Sequence, residues 1–343
     1  MAEQYQEESE VRRGLPLPGS GRGPLVTWSL LAANVLIWIA MESSGGSEES
    51  DVLLDFGAML GPLIANGEYW RLFTAMFLHV GLMHLLFNSL GLFIFGRMVE
   101  RIYGPVQFAI IYVVAGLSGS VASYTLNPVA IGAGASGAIF GVLGALAAFF
   151  VARRDVLGKM GRQQLSGIWA IAAINLFFGF VTPGIDNWAH MGGFVAGFAI
   201  GLAFVPRYQM ESGPFGIAYR LVGTNSLVRR WWVFPVAAAV LIGGGRLGTA
   251  TLPDNPLTHV YSAQRLLENQ SYDEALEEIG RALRLEPGNG LAYYVRGKIL
   301  VDLGDATRAR GDLFKAIGLG IRAGDRETVS KARELLASLP SLR

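Results

Sequence analysis

Apolar residues in this chain fall in long, nearly unbroken blocks, not in the one-sided patterns of a water-soluble fold. A helix needs roughly 20 predominantly apolar residues to cross a hydrocarbon core. On that scale spans are predicted near Leu25 to Met41, Gly81 to Met98, Val106 to Leu126, Ser136 to Ala152, Gly167 to Val181 and Trp188 to Val205. A further block, Trp231 to Gly245, is short and fits a seventh span better than a helix lying in the interface. The predicted fold class is all-α: a polytopic transmembrane bundle of six helices plus a seventh. After Leu257 the pattern changes to charged, amphipathic helices. Ala275 and Ala309, Ala282 and Ala316, Leu283 and Ile317, and Leu266 and Leu300 each lie 34 residues apart, with turn signals at Pro287-Gly288 and Gly304-Asp305. A 34-residue period of paired helices is the signature of a tetratricopeptide-like repeat domain, here over 258–338. The predicted organisation is a tail (1–24), a membrane domain (25–205), a linker with the seventh helix (206–247) and the repeats.

Composition narrows the classes. The 343 residues are 52% hydrophobic and only 16% charged, unlike an average soluble globule. Net charge is +1, so the basic surface of a nucleic-acid binder is missing and no nucleic-acid partner is expected. The chain has no cysteine, which excludes disulfides, thiolate metal sites and a cysteine nucleophile; no cofactor or metal is expected. The first residues are acidic, then rich in Arg, Pro and Gly, and read as a disordered tail, not a signal peptide.

Loop charge adds an orientation. Arg12, Arg13 and Arg22 precede span one, Arg97 and Arg101 follow span two, Arg153, Arg154, Lys159 and Arg162 follow span four, and Arg207, Arg220, Arg229 and Arg230 follow span six. The alternate loops are acidic or neutral. By the positive-inside rule the N-terminus is cytoplasmic, and a spanning seventh helix puts the repeats outside the cytoplasm. The expectation is a multi-pass protein of the plasma membrane.

Candidate chemistry lies in the spans. Polar and ionisable groups at membrane depth are costly and mark function by default. Three of the four histidines, His79, His84 and His190, fall in or beside spans. His84 and Asn88 are four apart and share a helix face, whereas His79 belongs at the helix mouth. His190 is followed by Gly193, Gly197 and Gly201, all within about 60° of its own direction. Ser136 is followed by Gly137, Gly141, Gly144 and Ala148. Such small-residue stripes let transmembrane backbones approach closely, as two short side chains on different helices must if they are to meet. A serine hydroxyl within reach of a histidine is the minimal acyl-transfer engine. His84, Asn88 and the Ser136 backbone N–H could then serve as oxyanion donors. No carboxylate lies near His190 within the spans, so a dyad is expected. Blander readings apply residue by residue: Trp70-Arg71 as an interfacial anchor, Asp186-Asn187 as a helix cap, Glu100-Arg101 as a helix-end charge pair.

Taken together, Trp70-Arg71, His79, His84, Asn88, the run Glu100 to Gly104, Gly134-Ala135-Ser136-Gly137, and Ala189 to Gly193 with Gly197 resemble, in that order, the rhomboid intramembrane serine proteases. The resemblance covers roughly residues 25 to 205. It implies a six-helix core with an extra C-terminal helix and a water-filled cavity open to the extracytoplasmic side. It further implies cleavage of membrane-anchored protein substrates in or near their transmembrane segment. Carried over, Ser136 is the nucleophile, His190 the general base and acid, and His84 with Asn88 the oxyanion stabilisers. Trp70-Arg71 belongs to the family's first-loop structure. Phe140 stands where many members stack a tyrosine under the catalytic histidine, keeping the ring and losing the hydroxyl. The alternative is a catalytically inactive relative that binds membrane clients. The repeats carry no catalytic constellation and suit a protein partner.

Overall fold

A computed structural model describes residues 23–212, 219–224 and 227–340; most of the expected tail over 1–24 lies outside the described residues. The chain forms two compact units, Met1–Met59 with Trp70–Gly248, and Leu60–Tyr69 with Thr249–Arg343.

The first unit is the membrane bundle. Its helices are α1 (Leu25–Ser43), α2 (Gly81–Tyr103), α3 (Pro105–Leu126), α4 (Ser136–Ala152), α5 (Arg154–Val181), α6 (Asn187–Phe204) and α7 (Val233–Ala250). Five segments, α1, α2, α3, Leu157–Val181 of α5, and α7, are long and apolar enough to cross a bilayer. The chain is an integral membrane protein. Helix α4 is shorter, at 17 residues, and sits at the centre: everything from Gly137 to Phe150 is buried. Helices α3 and α6 flank it, and together these three form the main packing of the unit.

Several boundaries follow from local chemistry. Gly104 takes φ +90° and Pro105 opens α3, a glycine stop followed by a proline start. Helix α5 begins well before the predicted Gly167. Gly158, at φ 51° and ψ −126°, breaks its first turn, and the helix then runs on through Lys159 and Arg162. Those two charges therefore belong to the end of a long helix, where such side chains can reach the headgroups. Leu92–Gly96, inside α2, is a π-helical turn. Between α6 and α7 the all-α expectation gains one short antiparallel hairpin, β1 (Arg207–Ser212) with β2 (Tyr219–Thr224), in register from Arg207 opposite Thr224 to Ser212 opposite Tyr219.

Glu100 corrects one reading. Neighbouring residues on a helix point about 100° apart, so Glu100 cannot pair with Arg101 as a helix-end couple. It turns inward, is buried, and accepts from the backbone N–H groups of Val26 and Thr27 at 2.9 and 2.8 Å and from the Thr27 hydroxyl at 2.7 Å. A carboxylate on the unpaired amides that open a helix satisfies donors that lipid cannot. It fixes the end of α2 to the start of α1.

The second unit is helical: α8 (Pro256–Glu268), α9 (Tyr272–Leu285), α10 (Gly290–Asp302), α11 (Ala306–Ala323) and α12 (Arg326–Ser338). The pair α8–α9 recurs 34 residues later as α10–α11, by subtraction of their first residues, and α12 closes the stack. Side-chain caps from Asn255, Asn289, Asp305 and Asp325 start four of the five helices. Buried Asp312 accepts from the Arg296 fork at 2.6 and 2.8 Å. His259 lies 2.6 Å from both Asp254 and Glu278. The segment from Leu60 to Tyr69 packs within this unit, where the Ser262 hydroxyl donates to Asn66 Oδ1 at 2.9 Å.

Removing the Glu100 carboxylate strands up to three buried donors. At about 1 to 3 kcal/mol for an orphaned buried group, Glu100→Ala is expected to lower stability by at least ~2 kcal/mol, with Glu100→Gln milder. Thermal unfolding in detergent checks this; an unchanged midpoint for Glu100→Ala would contradict the clasp.

Candidate active site

The site begins with how closely α4 and α6 approach. A Cβ placed on Gly193 would lie 2.0 Å from the Gly137 carbonyl oxygen, and one on Gly197 would lie 2.0 Å from that of Gly141. On Gly144 it would come within 2.2 Å of the Phe194 carbonyl oxygen. No side chain fits at these distances, so the glycine stripes are in backbone contact, as packing by small residues requires. Against α3, a Cβ on Gly119 would lie 2.6 Å from the Ala189 carbonyl oxygen. The residue before His190 is thus wedged against α3, and the residue after Ser136 also meets Ala189, at 3.3 Å from its carbonyl oxygen by the same construction on Gly137.

Both key side chains sit at helix starts. Ser136 is the first residue of α4, and His190 lies in the first turn of α6. Asp186 caps α6 by accepting from the Ala189 N–H at 3.0 Å, which bears out the plain reading of that residue. The His190 ring lies parallel to Phe140, with centroids 4.1 Å apart and planes 5° from parallel. Phe140 is one turn beyond Ser136, so the stack holds the imidazole on the face of α4 that carries the serine. His190 is 6% exposed and its Nδ1 has no hydrogen-bond partner among the described residues. The Phe140 ring stacks on it from α4.

Helix α2 brings the third group. The backbone N–H of Val80 donates to His84 Nδ1 at 3.3 Å. A ring nitrogen that accepts carries no proton, so Nε2–H is the donor of the neutral ring. That nitrogen lies 2.9 Å from the point where a Gly134 Cβ would stand, and Ser136 Oγ lies 3.7 Å from the same point. Gly134, at φ +137°, therefore lets the His84 ring and the Ser136 hydroxyl close on the same stretch of backbone, where any side chain would meet His84. Asn88 is buried one turn further along, and one of its amide hydrogens goes to the His84 carbonyl at 3.0 Å. His79 precedes the helix, fully buried; Nδ1 donates to the Phe77 carbonyl at 3.2 Å, and its ring meets His84 edge-on at 5.3 Å. It supports His84 from the helix mouth.

The loops hold these ends in place. Gly134 N–H donates to Ala75 at 2.9 Å, and Met59 and Gly132 exchange backbone hydrogen bonds at 2.8 and 2.9 Å. Arg71 is buried. It donates to the carbonyls of Leu54 and Ala58 at 2.7 and 3.1 Å and lies 4.6 Å from the Trp70 ring centroid. It staples the first loop from within, while the half-exposed Trp70 covers it; a surface anchor describes only the tryptophan. Sequence reasoning passed over Ser47, which accepts from Gly81 N–H at 3.1 Å and so caps the helix carrying His84 and Asn88. No local pattern announces it. Tyr103, which the resemblance includes in the run Glu100 to Gly104 without a role, donates its hydroxyl to the Ala145 carbonyl at 2.8 Å.

Comparison with known proteins identifies the family. A family profile described as Rhomboid domain matches residues 66–207. The chain is 35% identical over 298 residues to Rhomboid protease GluP of Bacillus subtilis (strain 168), covering 79% of this chain and 56% of that protein. A second rhomboid protein of that organism, YdcA, is 32% identical over 187 residues, 54% of this chain and 91% of its own length. RHOMBOID-like protein 1 of Arabidopsis thaliana is 34% identical over 195 residues, 55% of this chain and 50% of that protein. The chain thus spans about half the length of two of these relatives and most of the third. The chain belongs to the rhomboid family.

Proposed function

We propose that this protein is an intramembrane serine protease acting on transmembrane-anchored proteins, with Ser136 as nucleophile and His190 as general base and acid. The observation that carries the reading is the convergence on Gly134, where His84 Nε2 and Ser136 Oγ approach one point, the place a side chain would begin, to 2.9 and 3.7 Å. In the proposed reaction, Oγ attacks the scissile carbonyl carbon as His190 takes its proton. The oxyanion that forms is held by His84 Nε2–H, the second Asn88 amide hydrogen and the Ser136 backbone N–H. His190 then protonates the leaving amine, and a water activated by the same imidazole releases the acyl group.

The length of α4 supports a site below the membrane surface. Its 17 residues span about 25 Å at 1.5 Å per residue, less than the roughly 30 Å of hydrocarbon. With Arg153 and Arg154 at one interface, Ser136 stops short of the other. Loop charge makes that other side extracytoplasmic, with the N-terminus in the cytoplasm, α7 crossing the bilayer, and the helices after Thr249 outside. The plasma membrane is the proposed location. We assign the 34-residue helical pairs to a tetratricopeptide-like domain that recruits a protein partner or substrate. The inactive client-binding alternative loses ground because serine, histidine and the oxyanion pair are all present.

Reporter cleavage in membranes tests the dyad. Ser136→Ala and His190→Ala are expected to abolish it while still inserting, and undiminished cleavage by either would refute the assignment. Asn88→Ala is expected to lose roughly 100- to 1,000-fold, the usual cost of one oxyanion donor; a loss confined to folding would make it structural. Deleting residues 258–343 is expected to change substrate choice or partner binding, measured by comparing cleavage across several reporters. An unchanged profile would count against recruitment.

A further inference from the structure

The end of α2 opposite His84 carries a feature that proteolysis does not use. Phe93, Ile94, Arg97, Met98, Arg101 and Ile102 line a groove of about 540 Å³ on the outer side of the helix. Arg97 and Arg101 stand on successive turns, about 6 Å apart along the axis. The Arg97 guanidinium lies 4.5 Å from the Phe93 ring centroid, and Phe93 in turn packs edge-on against Trp28 of α1 at 5.6 Å. Ile94 is 45% exposed, whereas Ile102 is buried in the bundle core.

Among the described residues, no carboxylate answers the charge in this groove. Glu100, the adjacent carboxylate, is committed to Val26 and Thr27 of α1. Among the described residues, neither Arg97 nor Arg101 makes an ion pair or side-chain hydrogen bond. Arg97 also lies within the apolar span Gly81–Tyr103, about 9 Å from its last residue at the helical rise. A cation at that depth needs a counter-charge or a route to water. Exposed Arg101 can reach water alone, but simple snorkelling does not call for a concave site floored by apolar side chains.

We propose that this groove binds the phosphodiester of an anionic phospholipid, clamped between Arg97 and Arg101, with an acyl chain lying along Ile94 and Met98. Two guanidinium forks match phosphate oxygens in geometry and charge. A bilayer depth that offers hydrocarbon beside the charge selects a lipid over a soluble polyanion. The site needs only that α2 spans the membrane. The cytoplasmic leaflet follows if the proposed orientation holds, and cysteine labelling tests that orientation separately. The readout below is lipid retention, so it stands apart from whether the protein cleaves anything.

Native mass spectrometry of the full chain, titrated with phosphatidylglycerol or phosphatidylcholine, is the test. Wild type is expected to prefer phosphatidylglycerol. The double variant Arg97→Gln/Arg101→Gln is expected to lose roughly thirtyfold in affinity for it, from the usual contribution of two basic residues at an anionic surface, with phosphatidylcholine unchanged. If the double variant does not purify folded, Arg101→Gln alone, at the more exposed position, is expected to lose about fivefold. Equal binding of the two lipids by wild type, or undiminished phosphatidylglycerol binding by the variants, overturns the site. Inorganic phosphate displacing the lipid as well as a short-chain phosphatidylglycerol does would make it a free-anion site and overturn the lipid assignment.

Discussion

The constraint on which the rest of the membrane unit depends is the contact between the backbones of α4 and α6. Serine and histidine are short, and on helices at the usual separation of 8 to 10 Å their ends do not meet in register. Gly137, Gly141 and Gly144 on one side and Gly193 and Gly197 on the other remove the side chains that would hold the helices apart. In lipid the hydrophobic effect does not drive helices together, so van der Waals contact between such faces carries the association. The same surface therefore supplies both stability and the distance that chemistry needs.

Around this contact, the starts of three helices are secured by polar groups that lipid could not replace. Glu100 closes the start of α1, Asp186 the start of α6 and Ser47 the start of α2. Arg71 ties the first loop, and the Met59–Gly132 bridge links that loop to the segment before Ser136. Ser136, His190 and His84 all lie in the opening turn of a helix.

Much of this was legible in the sequence because its causes are periodic. Apolar blocks of bilayer length gave the spans; the four-residue step from His84 to Asn88 and the glycine steps after Ser136 and His190 gave faces. Phe140 beneath His190 followed from family resemblance, and the ring is indeed stacked there. What escaped reading depends on contacts far apart in the chain. The partners of Glu100 are more than seventy residues away, and those of Arg71 sit across an irregular loop. The early start of α5 was hidden because Lys159 and Arg162 look like loop charges, although a helix can continue past the apolar region. The π-helical turn at Leu92–Gly96 and the hairpin after α6 have no strong local signature.

The most direct test of the account joins the backbone contact to the chemistry. A fluorophosphonate probe applied to the membrane-inserted protein, with the adduct mapped by peptide mass spectrometry, reports whether Ser136 is an activated nucleophile. Wild type is predicted to carry the adduct on Ser136, and Gly197→Val, which forces a side chain against Gly141, is predicted to lose it while remaining in the membrane. An adduct on another serine, none in wild type, or labelling of Gly197→Val at the wild-type rate would contradict the account.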